Sequence, residues 1–480
     1  MTEAAPDPHR WQALALVCTA MFMTVLDVSI VNVALPSIGT ALDFSRENLQ
    51  WVISAYAIVY GGFLLLAGRT GDLFGRRRIF MSGLVIFTLA SLACGLAGSE
   101  SFLIGARAVQ GLGAAVIAPT ALAIVTTLFA EGSERNKALG IWGAVGGSGA
   151  AVGVLAGGIL TKYLGWEWIF FVNVPVGAAA LMLTRPLVKE SRAHDEHRNL
   201  DPLGAITVTA GLALTVYAIS QAPTVGWATA RTIGVLAVAA ALLAAFVWVE
   251  THVKEPLVPF RIFRVRTLTA ANIVGLLLGA VIFSNFFLLT LYVQQVLHYS
   301  ALRAGLTFVA TAGTAVLAAG FAQAAVTRIG PKIPMVIGLT LLSAGMFWYT
   351  QLPTSGSFGS ALLPGYLLVG VGLPFSFIPV TIAALAGVGQ REAGLGSGLI
   401  NTSQQIGGAV GVAVASTVFA THFNSLLASG EAPAEALTGG FQRAFWVLGG
   451  IGVASVVAAA TLVRREELAA TDADTAPVVI

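Results

Sequence analysis

An aspartate lies deep in an apolar run that holds no other ionisable side chain. Asp27 sits in Met21–Ile38, MFMTVLDVSIVNVALPSI, part of a run from about Gln12 to Ile38 that is long enough to cross a bilayer as a helix. A carboxylate at that depth costs on the order of 3 kcal/mol of insertion free energy, so it marks a proton or cation site on a transport path, or a structural acid neutralised by hydrogen bonds. Arg107 is the second such residue, near the start of LIGARAVQGLGAAVIAP, and no His, Lys, Asp or Glu shares its run. At 1.5 Å per residue, Asp27 lies about 15 Å and Arg107 about 8 Å below the outer ends of their helices. Both fall in the outer half, and pairing is the least costly way to keep either there. The chemistry available to the pair is uptake and release of a proton by Asp27 with Arg107 tuning it, or capture of a cation.

Other residues suggest moving parts. In GRTGDLFGRRR, Gly68 to Arg78, Gly68 and Gly75 suit a tight reversal, with Asp72 expected to end a helix and Arg76, Arg77 and Arg78 holding the loop at the cytoplasmic face. Asp72 is expected to face the start of a helix near Glu392, whose free amides would attract it. Gly149, Gly153 and Gly157 recur every four residues, a smooth groove for another helix, and Gly158 follows the last of them. Asn32, Asn173, Asn272, Asn285, Phe286, Tyr292 and Gln294 are candidates for a mostly apolar substrate cavity with a few polar points, although amides and aromatics inside spans are also ordinary packing residues. Cys18 and Cys94 both fall in apolar runs, which argues against a disulfide, thiolate chemistry or a metal centre.

The elements that must position these residues are membrane helices. Of 480 residues, 56% are hydrophobic and 10% charged, and the mean hydropathy is +0.84. That much apolar surface predicts an all-α polytopic membrane protein. Fourteen apolar runs can be drawn, at about 12–38, 51–68, 79–98, 102–128, 138–160, 168–184, 203–220, 232–249, 267–293, 304–326, 333–350, 361–387, 394–420 and 444–463. Of the 26 Lys and Arg, Arg107 lies within a run, and Arg46, Lys162, Arg231, Arg303 and Arg443 fall on the side opposite the termini. The rest share the terminal side, which predicts that both termini are cytoplasmic.

Two stretches repeat. Gly75–Leu84 resembles Gly330–Leu339, and Arg135 with Gly140 is spaced like Arg391 with Gly396, at shifts of 255 and 256 residues. Parallel halves of this kind place a transport site between them. The expected organisation is a six-helix bundle over 1–184, cytoplasmic linkers and two inserted helices over 185–266, a second six-helix bundle over 267–463, and a tail over 464–480. The two inserted helices are expected at the lipid-facing periphery.

Together these residues resemble the fourteen-span drug:proton antiporters of the major facilitator superfamily. The resemblance rests on Leu26–Asp27 with Asn32–Pro36; on Gly68, Asp72, Gly75, Arg76 and Arg77; and on Arg107, Gln110, Gly111 and Gly113. Trp166, Trp168, Phe170, Asn173, Pro175 and Gly177, then Gln294, Ser300 and Gly305, continue it in order. The chain departs from the family pattern at Val154, where a proline is usual, and at Leu73 and Glu167, where arginines are usual.

The resemblance implies two six-helix bundles with a central cavity, to which Gln110 also contributes, and export of amphipathic drug- or antibiotic-like compounds across the cell membrane in exchange for protons. Gly68, Asp72, Gly75, Arg76, Arg77, Gly149, Gly153, Gly157 and Gly158 are assigned to conformational gating. An exporter of an endogenous lipid or secondary metabolite would use the same residues; a proton symporter for uptake and a non-transporting receptor explain fewer of them. No nucleotide-binding pattern appears, so ATP is not the expected energy source. The expected partners are a small molecule, protons and lipid, without enzyme activity, cofactor, metal or nucleic acid, in a monomer.

Overall fold

The structure is a computed structural model, and it describes residues 8–45, 48–129, 133–191, 201–253, 256–385 and 393–463. Among these residues there is no strand. Thirteen helices are long and apolar enough to cross a membrane. The helix over Ser133–Tyr163 adds the apolar stretch Val152–Tyr163, so the order of elements is that of the fourteen runs.

By its internal contacts the chain forms two compact units. The first comprises Met1–Ser45, Trp51–Thr209 and Ser300–Gly305; the second comprises Arg46–Gln50, Ala210–Tyr299 and Leu306–Ile480. In chain order the helices are α1 (Arg10–Ala41), α2 (Trp51–Phe74), α3 (Arg76–Gly95), α4 (Glu100–Leu128), α5 (Ser133–Tyr163), α6 (Trp168–Phe171), α7 (Asn173–Leu187), α8 (Pro202–Val225), α9 (Ala230–His252), α10 (Arg266–Gln295), α11 (Ala301–Ile329), α12 (Lys332–Tyr349), α13 (Leu363–Leu385), α14 (Ala393–Ala428) and α15 (Pro433–Leu462). The helices α6 and α7 form one span, Trp168–Leu187. It is interrupted at Val172 because Pro175 has no N–H to offer the Phe171 carbonyl.

Glycines set how closely the helices of the first unit approach. A Cβ at Gly153 would lie 2.8 Å from the Leu26 carbonyl oxygen, and one at Gly157 2.8 Å from that of Ile30. The stripe therefore seats α5 directly on α1, beside Asp27. Gly158 faces elsewhere: a Cβ there would meet the Ala301 carbonyl oxygen at 2.9 Å, in the first turn of α11.

The internal repeat reappears as repeated packing inside each unit. In the first, Gly111 of α4 seats on the Tyr56 backbone and Gly113 on Phe87; in the second, Gly370 of α13 seats on the Thr311 backbone and Gly372 on Leu342. These positions are related by shifts of 255 to 259 residues. A second glycine step, Gly407 and Gly411 of α14 against Leu276 and Ala280 of α10, does in the second unit what Gly153 and Gly157 do in the first.

Three expectations change. Gly68 makes no turn, since α2 continues to Phe74 and Gly68 instead lets the helix approach Pro119 of α4. Asp72 does not end α2; the reversal comes at Gly75, whose φ of +109° is one that L side chains rarely adopt. Nor is α8 a peripheral helix. Gln50 donates to Ser220 Oγ at 2.6 Å, Gln221 to Asn48 Oδ1 at 3.0 Å, and Thr417 of α14 to the Ile219 carbonyl at 3.0 Å. Ser220, Gln221 and Thr417 lie in helices α8 and α14, Asn48 and Gln50 in the turn before α2, and each finds its partner in protein. Helix α9 is largely exposed, with 17% of its most apolar window buried.

Candidate functional site

The site lies inside the first unit, where five helices meet around Asp27. The acid is fully buried and Arg107 is 1% exposed. Arg107 Nη1 donates to Asp27 Oδ2 at 2.5 Å and to Gln110 Oε1 at 2.6 Å, while its Nε donates to the Val52 carbonyl at 2.8 Å. Arg107 and Gln110 lie three apart on α4, so both face α1. Gln110 Nε2 then donates to Asp27 Oδ1 at 2.8 Å and to Ser91 Oγ of α3 at 2.6 Å. Asn173, the first residue of α7, donates through Nδ2 to Asp27 Oδ1 and to Ser91 Oγ, each at 3.1 Å.

Aromatic rings close the site. The guanidinium carbon lies 4.4 Å from the centre of the Tyr56 ring and 5.7 Å from that of Phe170, and Tyr60 stacks on Tyr56. A guanidinium over an aromatic face gains a cation–π contribution that grows with desolvation. Cys94 Sγ approaches Gln110 Oε1 at 3.6 Å. The geometry holds a carboxylate, a guanidinium and two amides in one hydrogen-bonded cluster away from water, a setting able to hold or release a single proton.

Among its described residues the second unit carries no such cluster. At the position corresponding to Arg107 stands Tyr366, whose hydroxyl is 3.1 Å from that of Thr307, the counterpart of Val52. Tyr366 packs with Phe308, Tyr349 and Phe358. Among the described residues the buried ion pair therefore belongs to one copy of the repeat.

The structure brings Asp27 and Arg107 together, and it places Gln110 and Asn173 with them rather than on a cavity wall; they are 0% and 1% exposed. Asn32, on α1, donates to the Val28 carbonyl at 2.8 Å, and its own buried oxygen accepts nothing among the described residues. In the second unit Asn272 donates to the Leu268 carbonyl and accepts from Ser403, whereas the Asn285 oxygen is buried without a partner among the described residues. Phe286 packs on Phe308, and Gln294 is half-buried. Tyr292 is fully buried, its ring against Phe441 and its hydroxyl donating to the Pro353 carbonyl at 2.5 Å, so it belongs to the bundle core.

The loop between α2 and α3 is organised by Glu190, which has no sequence signature. Glu190, just beyond α7, accepts from the Arg77 backbone N–H at 3.1 Å and pairs with the Arg77 and Arg78 guanidinium groups at 3.7 and 3.8 Å. It thus places a carboxylate at the N-terminus of α3. Arg76 N–H donates to the Ser191 carbonyl at 3.0 Å. The Asp72 side chain and Glu392 lie outside the described residues, as do Ala193 and Ala473. Ser91, Tyr56 and Val52 were also missed. Ser91 and Tyr56 carry groups ordinary in any span, and Val52 contributes only its backbone. Among the described residues no group of three His, Cys, Asp or Glu side chains gathers as a metal site.

Comparison with known proteins adds a family. Residues 17–412 match the Major Facilitator Superfamily. The puromycin resistance protein pur8 of Streptomyces alboniger is 39% identical, with 98% of this chain and 95% of that protein covered. The cephamycin export protein CmcT of Amycolatopsis lactamdurans is 40% identical, covering 85% of this chain and 84% of that one. Among solved structures, a bacterial homologue of the human lysosomal transporter Spinster aligns with a TM-score of 0.68 at 15% identity, covering 97% of this chain and 99% of its own. The POT family transporter PepTSo aligns with a TM-score of 0.69 at 14% identity, covering 94% and 97%. At these identities the structures share the fold alone.

Proposed function

The chain belongs to the Major Facilitator Superfamily, and from that premise we propose that it exports antibiotic-like small molecules from the cell in exchange for protons, with Asp27 as the proton carrier. The observation that carries the proton role is the dry cluster: the one acid of the fourteen apolar runs is paired with the one arginine inside them. Export is supported by relatives that match most of this chain and are named for resistance or export.

A carboxyl withdrawn from water favours its neutral form, and one beside a guanidinium its ionised form. Alternation between those surroundings, as the bundles rock, is what a carrier requires. Arginine suits the partner role because it does not itself give up its proton. The tight α5 packing at Gly149, Gly153 and Gly157 on α1, and at Gly158 on the start of α11, supports a gating role for that stripe beside the acid. Both termini are cytoplasmic in this scheme, the transporter acts as a monomer, and Asn32 in the first unit and Asn285 in the second, whose buried oxygens accept nothing among the described residues, are candidate substrate-binding groups.

The test uses inverted membrane vesicles energised to an acidic interior, with puromycin and a cephamycin as first compounds. Added compound should accumulate inside and release protons from the lumen. In Asp27→Asn, exchange of labelled for unlabelled compound should persist while uphill accumulation disappears, for neutral and cationic compounds alike. A loss confined to cationic compounds would make Asp27 a binding group instead.

A further inference from the structure

The partners of Asp27 differ in what they can offer a proton. Arg107 only donates. Gln110 has to turn its Oε1 toward that guanidinium, so its Nε2 is committed to Asp27 and Ser91. Asn173 is under no such constraint: its amide meets Asp27 Oδ1 and the Ser91 hydroxyl, and a hydroxyl can donate or accept. The other titratable groups facing the cluster are Tyr56 from α2 and Cys94 from α3; α7 contributes none.

Three donors converge on Asp27, which suits a carboxylate and leaves an acid O–H without an acceptor. We infer that Asn173 is a positioning residue for the proton step: its side-chain amide turns over when Asp27 is protonated, presenting Nδ2 to the carboxylate and Oδ1 to the acid. The inference rests on Asp27 being the carrier. A hydronium ion delivers the proton: one O–H bond forms at Asp27 Oδ1 as one O–H bond of the hydronium breaks, a neutral water leaves, and no other bond changes. Ser91 completes the exchange: its hydroxyl accepts from Nδ2 in one state and donates to Oδ1 in the other, while Gln110 donates throughout. The turn is a half-rotation about a terminal amide torsion, which has a broad, two-fold profile. Asn173 opens α7 directly after the interruption at Val172.

Infrared difference spectra of the full chain in lipid, recorded between alkaline and acidic pH, test this. Wild type should gain a protonated-carboxyl band that Asp27→Asn removes. In Asn173→Leu, which keeps the branched shape and loses both polar atoms, that band should move to higher wavenumber, and coupled export should fall about tenfold. Asn173→Gln should restore both in part. Should the leucine variant fail to fold, wild type grown with 13C-asparagine gives a second reading: an asparagine carbonyl band should shift at the same pH midpoint as the Asp27 band and be absent from the Asn173→Gln spectrum. An unshifted carboxyl band with wild-type export in Asn173→Leu, or an asparagine signal indifferent to pH, would overturn the inference alone. No band removed by Asp27→Asn would instead refute Asp27 as carrier, and the inference with it.

Discussion

At the scale of single residues, the cluster around Asp27 depends on the shape of arginine as much as on its charge. Arg107 reaches Asp27 and Gln110 through one nitrogen and the Val52 carbonyl through another. A lysine would bring one ammonium in place of that planar fork. Arg107→Lys should therefore keep the protein folded, because the carboxylate is still paired, yet slow proton-driven export at least tenfold. Arg107→Ala strands a buried charge, at a cost of about 3–5 kcal/mol. Its protein yield should fall well below that of Arg107→Lys, as read by detergent gel filtration. Both charged members of the pair were legible in the sequence, because a charge within an apolar run has no packing reason to be there. Ser91 was not: one hydroxyl among many in spans acquires meaning only when α3 and α7 are folded against α4. Asn173 reads as a cavity residue from its polarity and Gln110 from the resemblance, since neither tells which face of a helix an amide occupies.

At the scale of helices, α1 and α5 meet through glycine. A methyl group at Gly153 would sit 2.8 Å from the Leu26 carbonyl oxygen and close to Ser29. Gly153→Ala should cost about 1–3 kcal/mol through overpacking, seen as a lower thermal midpoint in detergent. Gly98→Ala, where nothing lies within 4 Å, should leave that midpoint unchanged. The four-residue glycine spacing was legible in α5 and passed unnoticed in α14, where Gly407 and Gly411 repeat it. Gly68 was misjudged because glycine serves a turn and a close helix contact equally well, and sequence alone does not separate the two. Glu190 was invisible for another reason: its partners Arg77 and Arg78 stand more than a hundred residues earlier.

For the whole molecule, the fourteen runs and their order carried over directly into helices, because a membrane span must satisfy its backbone within itself and so announces itself by length and hydropathy. Orientation rests on the distribution of basic residues and can be tested from outside the cell. Ala228→Cys and Ser429→Cys, both at exposed positions between helices, should react with an impermeant thiol reagent in intact cells. Ala193→Cys and Ala473→Cys should not. The native Cys18 and Cys94 are buried and contribute little background. The reverse labelling pattern would invert the topology, and with it the direction of export.

A chain with one acid in its apolar runs, and a tyrosine where its second half could have held another charge, is also limited as an electrical machine. In the proposed cycle at most one proton crosses for each molecule exported. With neutral cargo the cycle moves one positive charge inward, so voltage and pH gradient both drive it; 100 mV contributes about 2.3 kcal/mol, roughly a fiftyfold concentration ratio. With singly cationic cargo the currents cancel, and the pH gradient drives alone. Clamping the voltage to zero with valinomycin and potassium should therefore cut steady-state accumulation of a neutral compound while leaving that of a monocation unchanged. A loss for the monocation as well, smaller than that for the neutral compound, would mean that more than one proton enters per turnover.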